Sequence, residues 1–244
     1  MKIVKIKHGF ISYPNNPHIA KIVAHYNEGT LELFYTDGRM QEIKIDADPY
    51  QAQFGFPVSK DGTMLFWMSW EKGIIAYHIP SGEIAWRYKT TRIFDIFVYS
   101  DYIIAGKYGE ALLKFDLKTG QLLNKVKGPS LEHFWQLAAP YVMVGTIRGK
   151  TCIVNTETME IVRAYSDKEN NPFNPYKCFY FKIHKAEWKD GKMLLVGHER
   201  HPSKGTDFSH ETPDPELLAQ GYLGWDYVRL AECDFPVDCL NKNE

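Results

Sequence analysis

Four basic side chains, Arg92, Lys107, Arg148 and Arg200, lie in polar segments between short strand-like runs. Guanidinium and ammonium groups donate to carboxylate and phosphate oxygens, and several of them near one another attract an anionic group. The same segments carry large rings, which are enriched in binding hot spots because they combine apolar area with a polar atom. The full candidate set is Tyr50, Trp70, Arg92, Lys107, Tyr108, His133, Trp135, Arg148, Tyr176, Lys177, His198 and Arg200. These residue types predict binding of a protein partner or an anionic ligand.

Carboxylates in the same kind of segment allow a different interpretation. A pair of carboxyl groups on opposite sides of a glycosidic bond hydrolyses it, one as the acid and one as the base or nucleophile. A sugar-binding lectin is a third possibility, since Trp and Tyr rings are platforms for a pyranose. The candidate carboxylates are Asp48, Asp95, Glu132 and Glu199.

Metal and cofactor chemistry has little support in the sequence. His198, His201 and His210 lie near Asp207 and Glu211, but their spacing matches no metal-binding motif. The four cysteines include no CxxC pair, so we expect reduced thiols. No nucleophile–base pair or Gly-rich phosphate loop is visible either. We therefore expect no metal, no cofactor and no catalytic residue.

The elements that must position these side chains are β-hairpins. The stretch "AYHIPSGEIAWRYKT" turns at Ser81-Gly82 between two runs in which apolar and polar residues alternate. Similar turns occur at Asp37-Gly38, Thr119-Gly120 and Thr158-Met159, so the last three turns are 38 and 39 residues apart. A period near 40 with several short strands per unit is typical of a β-propeller.

Strand-like runs flank each turn in the same order, which predicts an all-β fold. The runs group into five blades of four strands, and the last blade shows only three strands before residue 235. The N-terminal "MKIVKIK" would supply its fourth strand and close the ring, which would leave no exposed edge. We predict a single five-bladed β-propeller domain over residues 1–244, with a loop insertion at about 199–226.

The hairpin "AYHIPSGEIAW" resembles the blade repeat of quinoprotein-type and WD-repeat-like propellers. Ala76, Ser81, Gly82 and Trp86 match the repeat, whereas His78 stands where the family has Asp. The next repeat keeps Asp116, Thr119 and Gly120 and has Asn124 at the Trp position, and the third keeps Asn155 and Thr158. The resemblance covers about residues 55 to 165 and implies blade shape, without the residues of a quinone site.

A propeller has two faces. Intrablade turns such as "KTG" lie on one face, and the longer segments that carry the candidate residues lie on the other, where binding groups usually sit. The insertion includes "TPDPELLAQGYLGW", whose second half has the pattern of a short helix with Leu217, Leu218 and Tyr222 on one side. We expect the longer loops and the insertion to form the binding surface.

The overall charge of the chain limits the classes of partner that we expect. With 29 basic and 30 acidic residues, the chain has no net charge that would attract nucleic acid or a membrane surface. No apolar run reaches the length that spans a bilayer. We therefore expect a cytoplasmic, non-catalytic binding scaffold with a protein partner or an anionic or sugar ligand, the alternative being the glycoside-active enzyme or lectin.

Overall fold

The computed structural model describes the backbone of residues 2–6, 9–25, 29–45, 55–69, 71–127, 131–136, 139–146, 151–165, 180–189, 192–200 and 229–234. Side chains are described for 9–25, 29–45, 55–69, 71–126, 131, 139–145 and 151–164. The chain divides into two compact units, which are residues 1–108 with 112–125, and residues 109–111 with 126–244. Whether they form one domain, as the sequence predicts, stays a prediction.

The first unit begins with a five-stranded antiparallel sheet in the order β1-β2-β3-β4-β5. Its strands are β1 (Lys2–Ile6), β2 (Gly9–Tyr13), β3 (Ile19–His25), β4 (Thr30–Tyr35) and β5 (Met40–Lys44). The predicted turn at Asp37-Gly38 joins the last two strands, and the Gly38 N–H donates to the Tyr35 carbonyl oxygen. The last four strands thus match the first predicted blade.

The second sheet has three strands in the order β6-β7-β8, which are β6 (Met64–Ser69), β7 (Gly73–His78) and β8 (Glu83–Tyr88). An isolated bridge between Val58 and Leu65 lies where a fourth strand is expected. Residues 51–54, which belong to that expected strand, lie outside the described residues. The other three strands of this predicted blade are confirmed.

The third sheet is a four-stranded meander in the order β12-β11-β10-β9. Its strands are β9 (Ile93–Val98), β10 (Tyr102–Lys107), β11 (Ala111–Asp116) and β12 (Leu122–Lys127). Buried aliphatic residues fill β10 and β11, including Ile103, Ile104 and Leu112, because these two strands lie in the middle of the sheet. All four strands agree with the sequence prediction.

Two sheets belong to the second unit. One is a meander of β13 (Leu131–Gln136), β14 (Tyr141–Thr146), β15 (Thr151–Asn155) and β16 (Glu160–Tyr165). The other is β17 (Tyr180–Lys189), β18 (Lys192–Arg200) and β19 (Arg229–Asp234). The described residues thus form consecutive antiparallel sheets, as predicted.

The N-terminal strand is a correction. The sequence predicts that "MKIVKIK" pairs with the last blade, but β1 pairs antiparallel with β2, with Val4 opposite Ile11 and Ile6 opposite Gly9. Only two residues separate β1 from β2, so this hairpin closes a very short loop. Pairing with the last sheet would close a loop of more than 200 residues, at a larger cost in chain entropy. Among the described strands no sheet combines the first strand with the last ones.

One hydrophobic cluster of the first unit combines buried residues of the first two sheets. Leu31, Leu33, Leu65 and Ile75 are fully buried there, with Phe56 beside them. Burying one such side chain contributes about 1.5–3 kcal/mol, so this cluster fixes which face of each strand points inward. Within the described part of the chain, no helix has the length and apolar character needed to cross a membrane.

Candidate functional site

Each meander has two ends with different roles. In the third sheet the turn 117–120 and the connection before β10 lie at one end, which we name the turn end. The connection from β10 to β11 and the start of β9 lie at the other, which we name the loop end. Four sheets share one turn-end hydrogen bond, from the N–H that follows one strand (β4, β7, β11 or β15) to the carbonyl oxygen that precedes the strand before it (β3, β6, β10 or β14). These bonds are Thr36 to His18, Ile79 to Thr63, Leu117 to Asp101 and Thr156 to Pro140.

Polar side chains at the turn ends build the turns. The Asp116 carboxylate accepts from the Thr119 N–H at 2.7 Å and from the Thr119 hydroxyl at 2.8 Å. The Thr119 N–H is the main cause that holds the pKa of Asp116 below its ordinary value, with the Thr119 hydroxyl second. Gly120 closes the turn with φ 69° and donates to the Asp116 carbonyl oxygen. The Asp116 carboxylate and the Thr119 hydroxyl group are therefore engaged in hydrogen bonds within the turn.

The departure of His78 from the family repeat has a structural explanation. His78 Nδ1 lies 2.8 Å from the Ser81 hydroxyl, which is the same contact that Asp116 makes with Thr119. Gly82 likewise donates to the His78 carbonyl oxygen and has φ 70°. The imidazole therefore replaces the carboxylate as the partner of the turn hydroxyl.

Met159 shows that the turn tolerates a residue other than glycine. Its N–H donates to the Asn155 carbonyl oxygen at 2.8 Å, and its φ is 58°. The Asn155 side-chain oxygen accepts from the N–H groups of Glu157 and Thr158. The predicted turn at Thr158-Met159 is confirmed.

The loop end of the third sheet brings three predicted binding residues together. The Tyr108 N–H donates to the Arg92 carbonyl oxygen at 2.8 Å, and Lys107 pairs with Ile93 across the sheet. Arg92 is exposed, whereas Lys107 and Tyr108 are half-buried. The sequence predicts one surface for these residues, and their backbones adjoin although 15 positions separate Arg92 from Lys107.

Arg92 has an unusual backbone. Its φ of 63° lies in the left-handed region, which costs a side-chain-bearing residue about 1–2 kcal/mol relative to the right-handed one. The exposed side chain recovers little of this cost by packing. Such strain concentrates at functional sites, where the surrounding structure holds it in place.

The segment before Arg92 is held on its other side by the second sheet. A Cβ atom at Gly73, whose φ is 86°, would lie 2.7 Å from the Thr90 nitrogen and would also overlap the Tyr88 carbonyl oxygen. The backbones of the 71–73 turn and residues 88–90 therefore approach each other more closely than any residue except glycine permits. Lys89 and Thr91 are exposed beside Arg92, and they are absent from the predicted binding residues although "KTTR" is a run of donors.

Asp95, one of the candidate carboxylates, lies in β9 opposite Gly106. Burial raises the pKa of its carboxyl group to about 7, and the hydrogen bond from the Ile96 N–H opposes that rise. Asp95 as a whole residue is half-buried. A carboxyl group with such a pKa is partly protonated at neutral pH.

The other predicted residues lie outside the described side chains. Tyr50, Trp70, Arg148, Tyr176 and Lys177 lie outside the described residues, as do Asp48 and residues 201–226 of the insertion. His133 and Trp135 lie in β13 opposite Gly145 and Met143, and His198 and Arg200 lie in β18 opposite Lys182 and Tyr180. Glu132 and Glu199 are in the same two strands. Only the backbone of these strand residues is described.

The described part of the chain holds no group of three or more His, Cys, Asp or Glu side chains placed to bind a metal ion. His201, His210, Asp207 and Glu211 are outside that part. Cys152 is a buried free cysteine.

The comparisons with known proteins bear on the fold of the chain and assign no chemistry to it. No protein-family model matches the chain, and no curated protein matches it. BamB from Moraxella catarrhalis matches 82% of the chain with TM-score 0.49 and 13% identity, and the computationally designed Ika8 protein matches 73% with TM-score 0.53 and 14% identity. The chain spans only 57% of that BamB chain and 52% of that Ika8 chain. Likeness at such identities concerns the fold alone. The antiparallel meanders of the described residues are sheets of the kind that form propeller blades.

Proposed function

We propose that this chain is a non-catalytic β-propeller scaffold that binds a protein partner through the loop ends of its sheets. The observation that carries the proposal is the exposed Arg92, held in a left-handed conformation beside Lys107 and Tyr108. A strained residue with an exposed cationic side chain is explained more readily by binding than by stability. Aromatic and Arg side chains are also the usual anchors of protein interfaces.

The contrast between the two ends supports this assignment. At the turn ends, the side chains of Asp116, Asn155 and His78 are occupied by hydrogen bonds of their own turns. At the loop end of the third sheet, the Arg92 guanidinium has no hydrogen-bond or ion-pair partner among the described residues. A group without such a partner is available to a ligand.

We propose further that the five sheets are five blades of one propeller. The support is the turn-end hydrogen bond shared by four sheets and the spacing of their turns near 40 residues. On this arrangement the cations of the other sheets, Arg148 and Arg200, belong to the same surface as Arg92. The 199–226 insertion would extend that surface.

A pull-down from cell lysate tests the proposal. The intact chain is compared with Arg92→Ala/Lys107→Ala and with Lys60→Ala/Lys118→Ala, a control that removes two exposed cations from turn ends. We expect the loop-end variant to lose captured protein, and to lose more at low salt, where charges are least screened. Equal capture by the loop-end variant and the intact chain, with loss in the control, would contradict the proposal.

A glycoside-active enzyme is the second candidate, and one observation favours it. Glycosidases need one carboxyl group that stays protonated near neutral pH, and Asp95 has a pKa of about 7. On this alternative Asp95 is the acid, and Asp48, Glu132 or Glu199 is its partner. Hydrolysis of nitrophenyl glycosides by the intact chain but not by Asp95→Asn would favour the enzyme over the scaffold.

A further inference from the structure

We propose that residues 89–92 form a phosphate-binding segment, so that the ligand of the loop end carries a phosphate group. This inference rests on the proposed function, because it names the chemical group recognised by the same surface. The segment reads "KTTR", and Lys89, Thr91 and Arg92 are all exposed. It connects β8 to β9 and so lies between the second and third sheets of the first unit.

Preorganisation is the first argument. On one side, the pairing of Tyr88 with Ile74 ends directly before the segment, and Gly73 lies close against residues 88–90. On the other, the Tyr108 N–H fixes the carbonyl oxygen of Arg92. A four-residue connection held at both ends presents its side chains with little loss of entropy on binding.

Donor chemistry is the second argument. The four residues 89–92 carry an ammonium group, a hydroxyl group and a guanidinium group. Groups of these kinds donate hydrogen bonds to phosphate oxygens. Among the described residues, the side chains of Lys89, Thr91 and Arg92 have no hydrogen-bond or ion-pair partner. All three groups can also donate to a carboxylate, which has two acceptor oxygens, whereas a phosphate group has at least three and can accept from each group through a separate oxygen.

Local charge is the third argument. The segment and the two loops beside it carry more basic than acidic residues. The three stretches are residues 71–73, 89–92 and 107–110. Their cations are Lys72, Lys89, Arg92 and Lys107, and their acids are Glu71 and Glu110. Asp95, in the strand that begins at Ile93, is a further acid in this region of the sheet. The balance is positive by two when Asp95 is protonated and by one when it is ionised, so the field favours an anion in both states.

Calorimetric titration of the intact chain tests the proposal, with sodium phosphate, O-phosphothreonine and sodium acetate at matched ionic strength. We expect both phosphate compounds to bind more tightly than acetate. Lys89→Ala/Arg92→Ala should weaken their binding at least about tenfold, because each lost charge-assisted bond is worth a factor of that order. The Lys60→Ala/Lys118→Ala control should bind them like the intact chain.

A second pair of variants isolates the hydroxyl group. Thr91→Ala should weaken phosphate binding, and Thr91→Ser should restore it. Tighter binding of O-phosphothreonine than of inorganic phosphate would assign the site to a phosphorylated partner, and equal binding would assign it to free phosphate.

Three results would overturn the proposal: no phosphate binding, acetate binding as tight as phosphate binding, or phosphate binding unchanged in Lys89→Ala/Arg92→Ala. The pull-down with Arg92→Ala/Lys107→Ala is independent of these titrations. If that variant loses its partner while phosphate fails to bind, the scaffold proposal stands and only the phosphate assignment fails.

Discussion

The indole nitrogen of Trp86, in β8, donates a hydrogen bond of 2.9 Å to the carbonyl oxygen of Leu117, in the turn of the next sheet. Both residues are buried, so the bond has no substitute from solvent. Trp86 is also the tryptophan of the blade repeat recognised in the sequence. It therefore joins two neighbouring sheets of the first unit at their turn ends.

Trp86→Phe should destabilise the chain by about 1–3 kcal/mol, because it leaves the buried Leu117 carbonyl unpaired while keeping an aromatic ring. Urea denaturation measures the change. Tyr88→Phe is the matched control, since it removes a ring hydroxyl from the same strand where that group has no hydrogen-bond partner among the described residues. Equal effects of the two variants would show that the bond contributes nothing.

Gly120→Ala should cost more than Gly38→Ala. Both glycines have positive φ, at 69° and 89°, so both variants carry the left-handed cost of about 1–2 kcal/mol. A Cβ at Gly120 would also lie 2.5 Å from the Trp86 ring, whereas a Cβ at Gly38 would meet no atom within 4 Å. Thermal or urea unfolding of the two variants separates these costs, and similar losses would contradict the packing of Trp86 on Gly120.

The turns and most strands were predictable because they depend on local patterns. Alternation marks the strands, and Gly82 and Gly120 mark turns that need positive φ. The pairing of β1 was not predictable, since "MKIVKIK" has the pattern of an edge strand and fits any open sheet edge. The left-handed Arg92 and the contact of Gly73 with residues 88–90 arise from tertiary packing, and no local pattern encodes them.

Asp116→Asn should make the stability of the chain less dependent on pH in the acid range. The folded pKa of Asp116 is lowered, chiefly by the Thr119 N–H, so its stabilising contribution is present above the unfolded pKa. That contribution is lost as the pH falls through the folded pKa. Between pH 7 and pH 3 the intact chain should therefore lose slightly more stability than Asp116→Asn in urea denaturation. A variant that loses more than the intact chain over this range would contradict the assignment.

Asp95→Asn should show the opposite pH dependence. The folded pKa of Asp95, about 7, lies above its unfolded value, so the folded state binds the proton more tightly. Stability from this group is fully present below the unfolded pKa, about 3.9, and is lost as the pH rises to about 7. Asp95→Asn resembles the protonated form and does not titrate. Its free energy of unfolding, relative to that of the intact chain, should therefore rise over that pH range and stay constant above it. Asp101→Asn, at the exposed turn end, is the control, and a gap that stays constant with pH would contradict the burial of the Asp95 carboxyl.

Arg92→Gly tests the central claim most directly, because stability and binding can be measured on the same variant. Glycine accepts the left-handed conformation, so the variant should be more stable by about 0.5–1 kcal/mol in urea denaturation, while Arg92→Ala should show no gain. Both variants should capture less partner in the pull-down than the intact chain. More stability with less binding is the predicted result, whereas full binding by Arg92→Gly would contradict the assignment of the loop end as the binding surface.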